Sequence, residues 1–371
     1  MYCYRSYHDL GLAVWRAIPR LGKRFDVVVG IPRSGLIPAL MMALYQDSDA
    51  SSLDLFLEGK VFSHGMTRAG SGDAAGGSIR PGSSVLVIDD SISSGTAMRK
   101  AKERIASSGI VERLGLSIST AAVYYVPAYS QYREIVDFAF EPCPAPRVFQ
   151  WNVFNHPEQD RFLLDIDGIV CQDPTEEEND DGVRYLEFLK SATPRFRTRF
   201  PVGGFVTSRL EKYREPTEEW LARNGFRHET LAMLDLPTKE ARIKAGCHAS
   251  FKASVFSKSD KALFLESDRR QALEIASTTG KDVFCSETMT LFTSSDAGVG
   301  TISRTYLELL HKLWLAECEV HRRNKALFAL KNSLSFRAGR FVTAPFRFAH
   351  LALERLLHGR RWSHNIQEGK Q

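Results

Sequence analysis

Two groups of carboxylates in this chain are spaced to do chemistry. Asp89 and Asp90 adjoin the apolar run VLVI at residues 85–88 and precede Ser91, Ser93, Ser94, Gly95 and Thr96. Neighbouring carboxylates can accept hydrogen bonds from the two hydroxyls of a ribose. Amides and hydroxyls of a small-residue loop that opens a helix can cradle a phosphate at the helix's positive end. Residues 85–96 therefore suit a phosphorylated sugar. Upstream, GIPRSG at residues 30–35 has glycines at both ends, which let the backbone approach an anion closely, and Arg33 adds a fixed positive charge. An ordinary strand-to-helix turn would read the same way. The second group is Asp165 and Asp167, two residues apart after FLL and so on one side of an extended chain, with Gly168 freeing the turn that follows. Alone, this spacing also describes calcium loops and common turns.

The surrounding pattern supplies elements to position these groups. Residues 10–21 predict an amphipathic helix, 25–29 a buried strand and 36–45 a second helix. Residues 53–62 predict another strand, and 65–82, with six glycines, a mobile excursion. Strands at 85–88, 116–123 and 135–140 and a helix at 97–107 complete an α/β domain over residues 1–140. Pro142, Pro144 and Pro146 alternate within a Pro-rich linker, 141–158, which predicts an extended spacer. A second α/β domain follows at 159–300, with a strand at 162–164, a helix at 183–191 and strands ending at Thr207 and Glu266. The expected fold is two doubly wound parallel sheets followed by a basic, amphipathic helical extension, 301–371.

The first domain's motifs resemble those of type I phosphoribosyltransferases, whose substrate is phosphoribosyl pyrophosphate (PRPP). The resemblance covers most of residues 25–125 and departs at Ser94, where that family commonly has threonine. It implies that Asp89 and Asp90 hold the ribose and steady developing positive charge. Ser93, Ser94, Gly95 and Thr96 would bind the 5-phosphate, while Arg33, Ser34 and Gly35, with Mg2+, would bind pyrophosphate. The glycine-rich loop would close over PRPP; the resemblance names no base for an acceptor hydroxyl, and His64 and Asp73 are the candidates this loop offers. The second domain resembles haloacid-dehalogenase-like phosphatases. That implies Asp165 as the nucleophile, Asp167 as acid and base, the Thr207 hydroxyl on the phosphoryl group, and Lys252 as the neutralising lysine, with Lys258 the alternative. Mg2+ would sit among Asp165, Asp167, Glu266 and Asp268, with the choice between the last two open. A catalytically silent scaffold is the alternative. Only forty residues separate Asp167 from Thr207, too few for a large lid, which favours a bulky substrate.

The chain has 371 residues, 43% hydrophobic and 25% charged, the balance of a folded protein of two domains plus an extension. Its six cysteines show no paired spacing, which argues against a zinc cluster or a disulfide framework. No run of eighteen apolar residues occurs, and the expected location is cytoplasmic. Of 49 basic and 44 acidic residues, the stretch from position 321 onward holds eleven and two, leaving 38 against 42 before it. Phenylalanines, leucines and arginines interleave in that stretch, a pattern able to lie on an anionic membrane surface; packing on the body is the alternative, and nucleic acid is the weaker one. One function covers these features. The first domain would transfer 5-phosphoribose from PRPP to a lipid-linked glycan acceptor on the inner face of the cytoplasmic membrane. The second would then remove the 5-phosphate, an arrangement resembling bifunctional ribofuranosyltransferases of bacterial surface-glycan assembly. The rivals are a nucleobase-salvage transferase fused to a nucleotidase, and a PRPP-sensing regulator.

Overall fold

The computed structural model describes residues 1–62 and 77–293, together with Arg323. The chain enters through β1 (Cys3–Arg5) and α1 (Tyr7–Ala17), where Ser6 and Asp9 cap the helix reciprocally. Then come β2 (Val27–Gly30), α2 (Leu36–Gln46), β3 (Asp49–Ser52), α3 (Leu53–Leu57), β4 (Ser84–Ile92), α4 (Thr96–Ser108), α5 (Ile110–Leu114), β5 (Ser117–Tyr125), α6 (Tyr132–Ile135) and β6 (Phe138–Pro142). Strands β2 to β6 form one parallel sheet in the order β3-β2-β4-β5-β6. Alternation along the strands feeds two cores. Val28, Leu86 and Ile88 face α1 and α2, whereas Val27, Val29, Val85 and Val87 face α3, α4 and α5. A fully buried Val or Ile contributes about 1.5–3 kcal/mol, and a sheet apolar on both faces can be stable only between two helix layers.

Two expectations are corrected here. Residues 53–62 are not a strand: the strand is β3, and Leu53–Leu57 turn helical because the Ser52 side chain accepts from Leu55 N and caps the turn. Residues 141–158 are not an extended spacer. After β6 the chain forms β7 (Arg147–Phe149), which pairs in parallel with β1, and then a 3-10 turn at Val153–Asn155. Cys3 and Cys143 bring their thiols to 3.2 Å at this junction.

The second half runs β8 (Phe162–Leu164), α7 (Val183–Ser191), β9 (Gly204–Leu210), α8 (Arg214–Arg223), β10 (Leu231–Leu234), α9 (Lys239–Ala245), α10 (His248–Lys258), β11 (Leu263–Glu266), α11 (Arg269–Thr279), β12 (Asp282–Cys285) and β13 (Thr290–Phe292). The sheet order is β10-β9-β8-β11-β12-β13, parallel except for β13. Helices α7 and α8 cover one face, α10 and α11 the other. Met1–Gly298 form one compact unit. Tyr2, Val148 and Val153 belong to the same core as Phe162 and Leu164, so β1 and β7 join the two halves. The predicted helical extension falls outside the described residues apart from exposed Arg323.

Candidate functional site

Each sheet has a point where successive connections leave in opposite directions, the place beyond the strand ends at which open α/β sheets bind ligands. In the first sheet this point lies between β2 and β4. The turn after β2 and the end of β4 face each other across it. Gly30 and Gly35 are required for that approach: a Cβ on Gly30 would lie 2.7 Å from Gly35 O, and one on Gly35 would lie 2.9 Å from Asp89 Oδ1. Asp89 and Asp90 belong to β4 itself, and both are buried. Burial, then the neighbouring Asp90 carboxylate, pushes the Asp89 carboxyl well above the usual range. Asp90 Oδ1 accepts from Ser34 Oγ at 2.8 Å and Oδ2 from Trp151 Nε1 at 2.7 Å. Arg33, Ser93, Ser94 and Thr96 are exposed at the mouth. Gly95 is left-handed, at φ +77°, and a Cβ there would strike Ile135.

The carboxylate pair and the turn after β2 are thus brought together, and the small-residue loop follows β4 directly. Trp151 and Arg147 were not found from sequence. Arg147 reaches Ser91 Oγ at 3.5 Å, and its guanidinium lies 5.3 Å from the Phe149 ring. Phe149 in turn stacks on Trp151 at 4.8 Å. Both residues come from the stretch read as a spacer, so no local pattern pointed to them. His64 and Asp73 lie outside the described residues.

In the second sheet the reversal lies between β8 and β11. Asp165 follows β8, with its N–H donating to Leu265 O at 3.0 Å. Lys252, buried in α10, donates to Asp165 Oδ2 and Glu266 Oε2 at 2.7 Å each and to Gln271 Oε1 at 3.0 Å. Lys258 is exposed in the helix's last turn, so Lys252 is the lysine at this point. Burial raises the Asp165 carboxyl, to about 7, against the pull of Lys252. Burial also opposes the Lys252 ammonium, but Asp165 and Glu266 outweigh it and hold its proton. Asp167 pairs with Arg209, whose Nη2 lies 2.6 Å from Oδ1 and whose Nε lies 3.1 Å from Oδ2. Arg209 is a third residue missed in the sequence. Its signal was a charge inside the otherwise buried strand GFVTSRL, two residues after Thr207.

A cavity of about 560 Å³ opens over these groups, lined among others by Asp165, Asp167, Asp173, Thr207, Lys252 and Asp268. Glu266 does not line it. Its Oε1 accepts from Ser267 N and Asp268 N, and its Oε2 from Lys252. The four-carboxylate metal set is therefore not assembled, and among the described residues no three Asp, Glu, His or Cys side chains converge on a metal position. All four carboxylates already accept from protein donors: Asp167 from Arg209, Glu266 from Lys252, Asp165 from Lys252 and Ile166 N, and Asp268 from Gln271 N, the last through one oxygen. Magnesium keeps most of its waters and needs only one or two carboxylates. Asp165 and Asp268, hard oxygen donors on the cavity wall, suit it.

The phosphoribosyl transferase domain family model matches residues 12–157, which supports a type I phosphoribosyltransferase in this part of the chain. No curated protein matches the sequence. Among solved structures, purine phosphoribosyltransferase from Pyrococcus horikoshii Ot3 is 18% identical, with a TM-score of 0.30, covering 42% of this chain and 96% of that one. Helicobacter pylori xanthine-guanine-hypoxanthine phosphoribosyltransferase is 12% identical, with a TM-score of 0.30, over 41% of this chain and 95% of that one. Leishmania donovani UMP synthase is 19% identical, with a TM-score of 0.24, over 36% of this chain and 26% of that one.

Proposed function

We propose that this chain moves 5-phosphoribose from PRPP to a glycan acceptor and then removes the 5-phosphate. The observation that carries the pairing is the second crevice, where Asp165 faces a cavity with Lys252 at 2.7 Å, in the same compact unit as the matched transferase domain. In the first crevice the acceptor hydroxyl attacks C1 of PRPP, the bond to pyrophosphate breaks and the hydroxyl proton passes to solvent water. Arg33, Ser34 and Gly35 hold the departing pyrophosphate. Asp89 and Asp90 hold the ribose hydroxyls, and Ser93 to Thr96 hold the 5-phosphate.

In the second crevice Asp165 attacks phosphorus, the bond to the ribose oxygen breaks, and Asp167 gives that oxygen a proton. Water then attacks the aspartyl phosphate and returns a proton to Asp167, releasing phosphate. Arg209 fixes the orientation of Asp167. Magnesium, held by Asp165 and Asp268, would screen charge between the nucleophile and the phosphoryl oxygens. The short connection between Asp167 and Thr207 carries no large lid, which suits a phosphate at the end of a polymer. The basic stretch beyond residue 321 gives a membrane-bound, lipid-linked acceptor a place to be met.

The test is mass spectrometry of glycan products made from PRPP by the wild type and by Asp165→Asn. The variant is expected to accumulate phosphorylated ribose on the glycan, and the wild type ribose without phosphate. Fully trimmed product from the variant would remove Asp165 from the nucleophile's role. Nucleotide formed from PRPP and a free base, with no ribose on glycan, would overturn the glycan reading.

A further inference from the structure

We infer that Arg242 and Ser208 complete the phosphoryl-binding cradle of the second crevice, with Arg242 a further catalytic residue. Resting on the phosphatase reading above, the inference starts from the number of donors available there. An ammonium has three N–H groups, and all three of Lys252 are taken by Asp165, Glu266 and Gln271. Arg209 turns Nε and Nη2 on Asp167 and Nη1 on Thr217 Oγ1. Arg195, also on the cavity wall, directs Nη1 to Gly168 O at 2.8 Å, and its position is exposed, so its other N–H groups are not held in a buried place. A phosphoryl group transferred to Asp165 spreads charge over three equatorial oxygens, and they need donors that are free before the substrate arrives.

The described residues contain such a pair. Seven buried side-chain nitrogen or oxygen atoms lack a hydrogen-bond partner, and two of them, Ser208 Oγ and Arg242 Nε, belong to residues lining the cavity. The two are locked together, since Arg242 Nη1 donates to Ser208 O at 2.9 Å. That bond anchors one arm of the guanidinium beside Thr207 and leaves the Nε edge unused. A buried N–H without a partner costs about 1–3 kcal/mol, and an oxyanion bound at Arg242 Nε removes that cost. Arg242 comes from α9, a helix that buries none of its own residues. Its guanidinium at the cavity is the part of α9 that bears on the chemistry.

The probes are orthovanadate, a mimic of the five-coordinate phosphoryl group, and p-nitrophenyl phosphate, used with the full chain and magnesium. The wild type should hydrolyse the ester and be inhibited by vanadate. Arg242→Gln should lower kcat by about 100-fold, the scale of one lost oxyanion donor, and weaken vanadate at least tenfold, with KM moving much less. Ser208→Ala should weaken vanadate severalfold, and its small size makes it the control if Arg242→Gln folds poorly. Vanadate inhibition within twofold of wild type in both variants would overturn the inference and leave the phosphatase reading standing. A wild type that neither hydrolyses the ester nor binds vanadate by calorimetry would overturn both.

Discussion

Lys252 shows at the scale of one residue how the second crevice is held together. It stands on α10, yet its ammonium bridges Asp165 after β8 and Glu266 at the end of β11. Removing the cation leaves two carboxylates in a buried place with no counter-charge. Breaking such an arrangement costs about 3–5 kcal/mol. Lys252→Met is therefore expected to lower the unfolding free energy obtained from urea titration by about that amount at neutral pH. Lys252→Met combined with Glu266→Gln should recover part of the loss, because one of the stranded charges is gone. A double variant no more stable than the single one would mean that packing, not charge, sets the cost. Lys252 was legible in the sequence as the better of two candidates. What separates it from Lys258 is the face of α10 on which each stands, and Ala249, Ala253 and Phe256 mark the buried face that Lys252 shares.

At the scale of elements, the strands that carry the sites were the most legible part of the chain. VVV and VLVI are apolar on both faces, which only a covered parallel strand tolerates. Leu53–Leu57 was misread because a short apolar run does not distinguish strand from helix, and the deciding feature is one cap at Ser52. The pairing of β1 with β7 was illegible for a different reason: the partners lie at opposite ends of the first half, and nothing local specifies the match. The register of β2 against β4 is fixed at its start by Asp26. The Asp26 Oδ2 accepts from Ser84 N at 2.8 Å and from Ser84 Oγ at 2.7 Å. Those bonds, the backbone one first, hold its carboxyl below the ordinary 3.8. A carboxyl lowered in the folded state adds stability above its unfolded value, and that contribution disappears as pH falls through the folded value. Asp26 is exposed, so Asp26→Ala should cost only about 1 kcal/mol at pH 7. Unfolding curves of the two proteins should converge once pH has fallen through the folded value of the Asp26 carboxyl. A gap that persists in acid would assign the effect to the backbone turn instead of the carboxylate.

At the scale of the whole molecule, the N-terminal strand is built into the half that carries Asp165. Tyr2 is 4% exposed, and its ring meets Phe162 edge-on at 5.8 Å and His156 at 6.3 Å. Its hydroxyl donates to Glu158 at 3.0 Å, and its amide donates to Asp282, 280 residues away. Tyr4 adds a bond from its hydroxyl to Met289 O at 2.6 Å. Truncating a buried aromatic side chain costs about 3–5 kcal/mol, and here the loss falls on Phe162, the first residue of the strand that delivers Asp165. Tyr2→Ala is thus expected to raise amide hydrogen exchange in β8 and β11, while β2 and β4, whose cores do not include Tyr2, keep their protection. Exchange measured by mass spectrometry on the full chain separates the outcomes. Faster exchange confined to β1 and β7 would make the N-terminal strand a passenger on the second half; faster exchange in β8 would make it part of the support beneath Asp165.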